Sequence, residues 1–287
     1  MQTIQFGHRL IKVPTQLSEL NSKQLIRYVQ LINAKLTIPQ FNVLMILNLL
    51  QVQERAWLKW FFFKNEYLIP FLDKLTFGLF EWTVITIHEE DFYELTLLSA
   101  NFHQIETFAL ENPIPKIKWL VGPQMLLSNV SFRQFRKAEE FFARYTNDQS
   151  EDNLNTLLAW LYLPFWSKKA SQTPQKAAKR AKIIGKLPLE KRLTIYYFYL
   201  ESRTKLTKIY NDLYNSTEID NEGTVIKKIQ PIKIKMSFEK AVRILSGNIN
   251  QDESTDYQYA LDALSHLNDR AEEVRLLKEA NEAHKQK

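Results

Sequence analysis

Cysteine is absent from this chain of 287 residues, and only six residues are glycine. The lack of cysteine excludes disulfides, iron–sulfur clusters, thiolate zinc sites and a cysteine nucleophile, and it fits a reducing compartment. The few glycines form neither GxxxxGKS/T nor GxGxxG, the loops whose bare backbone cradles phosphates. No GxSxG elbow is present either. The usual signatures of nucleotide-binding enzymes and serine hydrolases are therefore missing.

Long apolar runs are also lacking. The first residues, MQTIQFGHRLIKVP, contain no apolar segment of the length found in signal peptides. The longest apolar stretches, residues 41–50 and 56–63, fall well short of the roughly 20 residues that span a bilayer. We therefore expect a cytoplasmic protein that is not embedded in a membrane.

Positive charge is concentrated in one part of the chain. The net charge is +6, and residues 167–186 contain seven basic residues and no acidic one, so the rest of the chain is close to neutral. Turn-forming residues such as Pro174 and Gly185 interrupt the tract, which favours a solvated loop with a short helix over residues 175–184. A nucleic-acid-binding surface is the alternative. The basic side chains with which the tract could contact a partner are Lys168, Lys169, Lys176, Lys179, Arg180 and Lys182.

Helical signals dominate the rest of the sequence. Asn21 is positioned to cap a helix, and residues 37–40 and 131–134 both read as capping boxes. Apolar residues recur at helical spacing after the second box and again over residues 154–161. The patterns predict a mainly α, multi-helix globular protein with one or two short β-strands or a small β-ribbon.

Three further segments bear on the organisation of the fold. The apolar residues 56–80 favour a buried helical pair broken near Pro70, whereas residues 82–87, WTVITI, are β-branched enough for a short strand. Residues 223–236 alternate in the manner of a β-ribbon. The prolines at 113 and 115 suggest a boundary between a helical domain, 1–115, and a second one, 116–287, which contains the basic linker 167–187 and a polar C-terminal helix.

The C-terminal helix carries an apolar seam of two heptads. Leu264, Leu267 and Val274 lie on it, at the alternating spacings typical of helix–helix packing. Packing within the chain is one interpretation of this seam. Because the far end of the helix is so polar, we also take these three residues as candidates for contact with a partner.

A metal site is a further alternative. His88 precedes three acidic residues, and His103 and Glu106 would share one face of a helix. Imidazole and carboxylate suit zinc or iron. There is no HExxH motif, however, and acidic residues at the start of a helix are expected from the helix dipole alone. We therefore expect no metal, no cofactor and no catalytic residues.

A group of features lies in the middle of the chain, over residues 122–164. They are Gly122-Pro123, the helix start at 129–135, Tyr145 and the box Leu158-Ala159-x-Leu161-Tyr162-x-Pro164, and the aromatic run 196–199 follows them. In these features the chain resembles helical proteins encoded in the tail modules of tailed bacteriophages and prophages. It departs from that group at Leu163, where the group has a basic residue.

The resemblance implies a tail assembly chaperone, which would bind a long helical tape-measure protein transiently while the tail is built. We therefore expect a non-enzymatic assembly or scaffolding factor with a protein partner, in the host cytoplasm and possibly in the virion. Two alternatives stay open: a nucleic-acid-binding accessory protein that uses residues 168–186, and a metal-dependent enzyme at His88 and His103. The oligomeric state is also left open by the sequence.

Overall fold

The chain forms two compact units, residues 1–109 and residues 110–287. The computed structural model describes residues 1–6, 9–51, 62–63, 66–76, 79–87, 89–103, 108–109, 111–167, 172–214, 245 and 256–285. The helices are α1 (Ser22–Asn33), α2 (Ile38–Leu49), α3 (Glu89–Ala100), α4 (Phe132–Asp148), α5 (Glu151–Leu161), α6 (Pro174–Ile184), α7 (Leu189–Ile209), α8 (Asn211–Tyr214) and α9 (Ala260–Lys285).

The strands form three small antiparallel sheets in the described residues. They are β1 (Gln2–Phe6), β2 (Arg9–Val13), β3 (Phe62–Phe63), β4 (Glu66–Thr76), β5 (Leu79–Ile87), β6 (Lys116–Ile117), β7 (Leu120–Val121) and β8 (Leu163–Pro164). Strand β1 pairs with β2, and the other two sheets have the orders β3-β4-β5 and β6-β7-β8. The last sheet belongs to the second unit and holds the candidate site.

The prediction of a mainly helical protein is confirmed, and so are its capping signals. Asn21 accepts from the backbone N–H groups of Lys23 and Gln24 at the start of α1. Ser131 caps α4, where its backbone N–H donates to the side chain of Gln134. These side chains satisfy donors that have no partner inside a helix. The predicted short helix of the basic tract is α6, and the predicted C-terminal helix is α9.

The described part of residues 56–80 forms strands and not the expected helical pair. Residues 66–76 are strand β4, which pairs with β5 in the register Pro70 opposite Val84. A proline breaks a helix, but a strand accepts it where one side of its backbone is unpaired. Strand β3 pairs only with Tyr67 and Glu66, so no residue that the structure describes pairs with Pro70 on the side away from β5. The strand predicted over residues 82–87 is confirmed as part of β5, whereas the ribbon predicted over residues 223–236 lies outside the described residues.

Helices α4 and α5 form the antiparallel pair that the apolar stripes predict. The side chain of Gln134, near the start of α4, donates to the carbonyl of Trp160 near the end of α5 at 2.9 Å. Phe135 and Phe142 on α4, and Leu157 and Leu158 on α5, are fully buried. The pair therefore forms a rigid base on which α6 and α7 pack.

A buried ion pair joins α4 to α7. The Nε of Arg203 donates to both carboxylate oxygens of Glu139, at 2.7 and 2.9 Å, and the hydroxyl of Tyr199 donates to the same carboxylate. The guanidinium also lies 4.4 Å from the ring centre of Phe142. Burial and the neighbouring Glu139 raise the pKa of Tyr199 well above its usual value, so this tyrosine stays a hydrogen-bond donor.

Candidate partner-binding site

Helix α6 presents the predicted basic residues in two different environments. Lys176, Lys179 and Lys182 are exposed, whereas Arg180 is only 3% exposed. Lys168 and Lys169 lie outside the described residues. Helix α6 thus buries one cation against α5 and turns its three lysines toward solvent.

Arg180 is held in place by a single described hydrogen bond. Its Nε donates to the carbonyl oxygen of Ala159 on α5 at 2.8 Å. Its Nη2 is buried and has no hydrogen-bond partner among the described residues. Burial lowers the pKa of Arg180 to about 10, so the side chain is still a cation at neutral pH.

The small sheet brings three aromatic residues together beside this helix. Trp119 occupies the turn between β6 and β7, and Phe165 and Trp166 directly follow β8. Because β8 pairs with β7, in the register Leu120 opposite Pro164, Trp166 comes to lie against Trp119. The two indole rings are stacked, with centres 5.4 Å apart and planes at 28°. The ring of Phe165 meets that of Trp166 edge-on at 4.6 Å.

These rings are turned toward solvent. Phe165 is 73% exposed, Trp166 is 62% exposed and Trp119 is 38% exposed. Large aromatic side chains bury more apolar area than any others, and contiguous exposed patches of them mark interaction surfaces. The three rings therefore form an apolar surface that the fold leaves uncovered within its described part.

An open groove of about 510 Å³ lies between the aromatic rings and α6, and we call it the Trp groove. Trp119, Pro164 and Trp166 line one side of it, the cations and Ile183 of α6 line the other, and no acidic side chain of the described residues lines it. It is lined by Trp119, Pro164, Trp166, Ser167, Lys176, Lys179, Arg180 and Ile183. The arrangement suits a ligand that combines an apolar group with a negative charge.

The hairpin that carries Trp119 packs against Tyr162, and Gly122 permits this close approach. The buried Tyr162 hydroxyl donates to the carbonyl of Ile114 and lies 3.1 Å from the amide nitrogen of Asn112. A Cβ at Gly122 would lie 2.6 Å from both Asn112 Nδ2 and the Tyr162 ring. Close approach of the backbone to this ring thus explains why a glycine precedes Pro123.

The candidate residues on α9 are divided between the interior and the surface. Leu264 and Leu267 are buried, and α9 packs against α4 and α8, so both leucines lie inside the chain and not on the surface expected to contact a partner. Val274 is 46% exposed, and Leu276 and Leu277 beside it are also exposed. The helix is fixed by Arg275, whose Nε donates to Asp212 at 2.8 Å.

The histidine alternative finds no cluster in the described part of the chain. No group of His, Asp or Glu residues there is placed to hold a metal ion. The Nε2 of His103 lies 2.7 Å from the Oδ1 of Asn42, and its ring packs on Phe41. His88 and Glu106 lie outside the described residues.

The sequence held only part of the signal for the Trp groove. Phe165 and Trp166 follow Pro164 and lie beyond the end of α5, so helical periodicity does not assign them to the core. Trp119 lies more than forty positions earlier in the chain, and only the pairing of β7 with β8 brings it next to them. Arg180 is buried because it shares the inner face of α6 with Ala177 and Ile184.

Comparisons with protein-family models, with curated proteins and with solved structures give no significant match. Among the helices that the structure describes, none combines the length and apolar character needed to cross a bilayer. The geometry of the site is therefore the basis for the proposed function.

The isolation of Arg180 predicts an unusual response to substitution. We expect Arg180→Met to change the free energy of unfolding by about 1 kcal/mol or less. The variant loses one hydrogen bond to Ala159, but it also removes a buried cation that no described carboxylate neutralises. Chemical denaturation of the full chain measures this change, and a loss of several kcal/mol would mean that Arg180 is needed for the fold.

Proposed function

We propose that this chain is a non-enzymatic assembly or scaffolding factor that binds a protein partner through the Trp groove. The observation that supports this most directly is the exposure of Phe165 and Trp166 beside Trp119. Tryptophan and arginine are the residues that most often dominate binding energy at protein interfaces, and here both are found in one groove.

Rigidity of the surrounding framework also favours a binding role. Strand β8 is joined to β7, and the helix before it packs against α4 and α6. Aromatic side chains on a fixed framework lose little conformational freedom when a partner covers them, so more of the contact energy appears as affinity. The framework around the aromatic rings therefore favours binding.

The resemblance to proteins of phage tail modules suggests which partner to test. Several residues that carry the resemblance, among them Gly122, Tyr162 and Pro164, support or line the groove. In this proposal the partner is a tail protein such as the long helical tape-measure protein, and binding takes place in the cytoplasm during assembly. The exposed Val274, Leu276 and Leu277 on α9 provide a second apolar surface for the same partner.

Co-purification tests the proposal. The tagged full-length chain is co-expressed with each protein encoded beside its gene, and we expect one of them to be retained. The double variant Phe165→Ala and Trp166→Ala should reduce retention by about tenfold or more, because interface tryptophans commonly contribute 2 kcal/mol or more. The unfolding midpoint should change little, since both side chains are largely exposed.

A matched control uses Tyr93, which is 64% exposed and lies in the first unit. Tyr93→Ala removes one exposed aromatic side chain from the other unit and should leave retention unchanged. Retention of the same partner by the double variant at the wild-type level would contradict the proposal, as would a wild-type chain that retains none of these proteins.

A further inference from the structure

Arg180 differs from the other arginines that the structure describes as buried. Arg203 pairs with Glu139 at 2.7 Å, and Arg192 pairs with Glu151 at 2.8 Å. Arg180 is as deeply buried, yet among the described residues it has no carboxylate partner and its Nη2 has no acceptor. Burial of a cation with an unsatisfied hydrogen-bond donor is unfavourable for the free energy of folding unless an anion pairs with it. The groove that Arg180 lines is where such an anion would enter.

The rim of the Trp groove adds positive charge to the same place. On α6, Lys176 lies four residues before Arg180 and Lys179 lies four residues before Ile183, and all four residues line the groove. None of the acidic residues in the described part of the chain lines it. Such a one-signed groove attracts anionic ligands and raises their association rate.

The arrangement of the rings distinguishes between two kinds of anionic ligand. Proteins that bind single-stranded nucleic acid provide a series of aromatic platforms on which successive bases stack. Here Trp119, Trp166 and Phe165 contact one another, so no base can enter between them. A single continuous apolar surface of this kind is better suited to hold one or two side chains of a protein.

We infer that the Trp groove binds an acidic segment of a protein partner, with an apolar side chain against Trp119 and Trp166 and a neighbouring carboxylate on Arg180. The carboxylate forms an ion pair with the guanidinium of Arg180, which lines the groove, and Lys176 and Lys179 attract the segment. This inference rests on the proposed protein-binding function and adds the chemistry of the segment that is recognised.

Matched peptides test the inference on the full-length chain. The first probe is the acetylated and amidated peptide Glu-Phe-Asp-Leu-Glu, and the second is its amide analogue Gln-Phe-Asn-Leu-Gln. The tryptophans of the chain are labelled with nitrogen-15, and binding is followed by NMR through their indole N–H signals. Neither peptide contains tryptophan, so every signal comes from the chain. We expect the acidic peptide to shift the signals of Trp119 and Trp166 and to bind about tenfold more tightly than the amide analogue.

Two variants with the same loss of charge provide the control. Lys176→Gln with Lys179→Gln removes two cations from the groove, and Lys182→Gln with Lys186→Gln removes two exposed cations of the same tract that do not line it. The first pair should weaken binding of the acidic peptide by about threefold to tenfold, and the second pair should have an effect of less than about twofold. Arg180→Met should remove the preference for the acidic peptide over its analogue.

Each other outcome overturns the inference in a recognisable way. Equal binding of the two peptides would reject the acidic chemistry and leave the aromatic protein-binding proposal standing. Absence of any shift with either peptide would reject recognition of a short acidic segment, while co-purification would still report on the proposed function. Tighter binding of an oligothymidylate of about twelve nucleotides than of the acidic peptide would favour single-stranded nucleic acid as the ligand.

Discussion

Replacing Arg203 by methionine is expected to lower the free energy of unfolding by about 3–5 kcal/mol. The substitution leaves the carboxylate of Glu139 buried between α4 and α7 without its cation, and it removes two hydrogen bonds of 2.7 and 2.9 Å. Methionine fills similar space, so the loss reports the unpaired charge more than a cavity. Urea denaturation followed by circular dichroism measures the change.

Two controls separate the ion pair from mere burial of an arginine. Arg180→Met alters an arginine that is equally buried but has no carboxylate partner among the described residues, and it should cost far less. Adding Glu139→Gln to Arg203→Met should recover much of the loss, because the amide oxygen can still accept from Tyr199 without a buried charge. A single Arg203→Met variant as stable as the wild type would contradict the arrangement described for α4 and α7.

Gly122→Ala is expected to destabilise the second unit by about 2–3 kcal/mol. The new methyl group would lie 2.6 Å from the Tyr162 ring and from Asn112 Nδ2, both of which belong to a buried hydrogen-bonded cluster. The chain that follows β7 must move to relieve this clash. Because β7 pairs with β8, which directly precedes Phe165 and Trp166, the movement would also displace Trp166. We therefore expect a lower unfolding midpoint together with weaker binding in the Trp groove.

Gly185→Ala is the matched substitution. A methyl group there would lie 3.0 Å from Asn155 Nδ2, a wider separation than the 2.6 Å at Gly122, and the backbone is already in the helical region. The change should stay within about 1 kcal/mol. A Gly122→Ala variant that is no less stable than Gly185→Ala would mean that the backbone does not approach Tyr162 as closely as described.

Local signals allowed the helices to be predicted, because a cap and an apolar stripe depend on residues a few positions apart. The caps at Asn21 and Ser131 are examples, since each side chain contacts the next turn of the chain. The hairpin of β4 and β5 was missed because a continuous apolar run fits a buried helix as well as a strand. Only the pairing of one segment with another decides between helix and strand.

The candidate site was harder to predict for the same reason. The sequence identified the basic tract, but it could not separate Arg180 from Lys179, because the difference depends on which face of α6 meets α5. Nor could it place Trp119 against Trp166, which requires the register of β7 and β8. Leu264 and Leu267 show the converse: a seam that suits a partner helix is covered by the chain itself.

Site-directed photo-cross-linking tests the central claim, that the Trp groove binds an acidic segment of a protein. A benzoylphenylalanine placed at Phe165, the most exposed of the three rings, reacts with whatever covers the groove in cells that co-express the neighbouring genes. Mass spectrometry of the product should identify one protein, joined through an acidic and apolar segment, and the same group placed at Tyr93 should not capture it. A product joined to nucleic acid, or to a basic segment, or no product at all, would contradict the account.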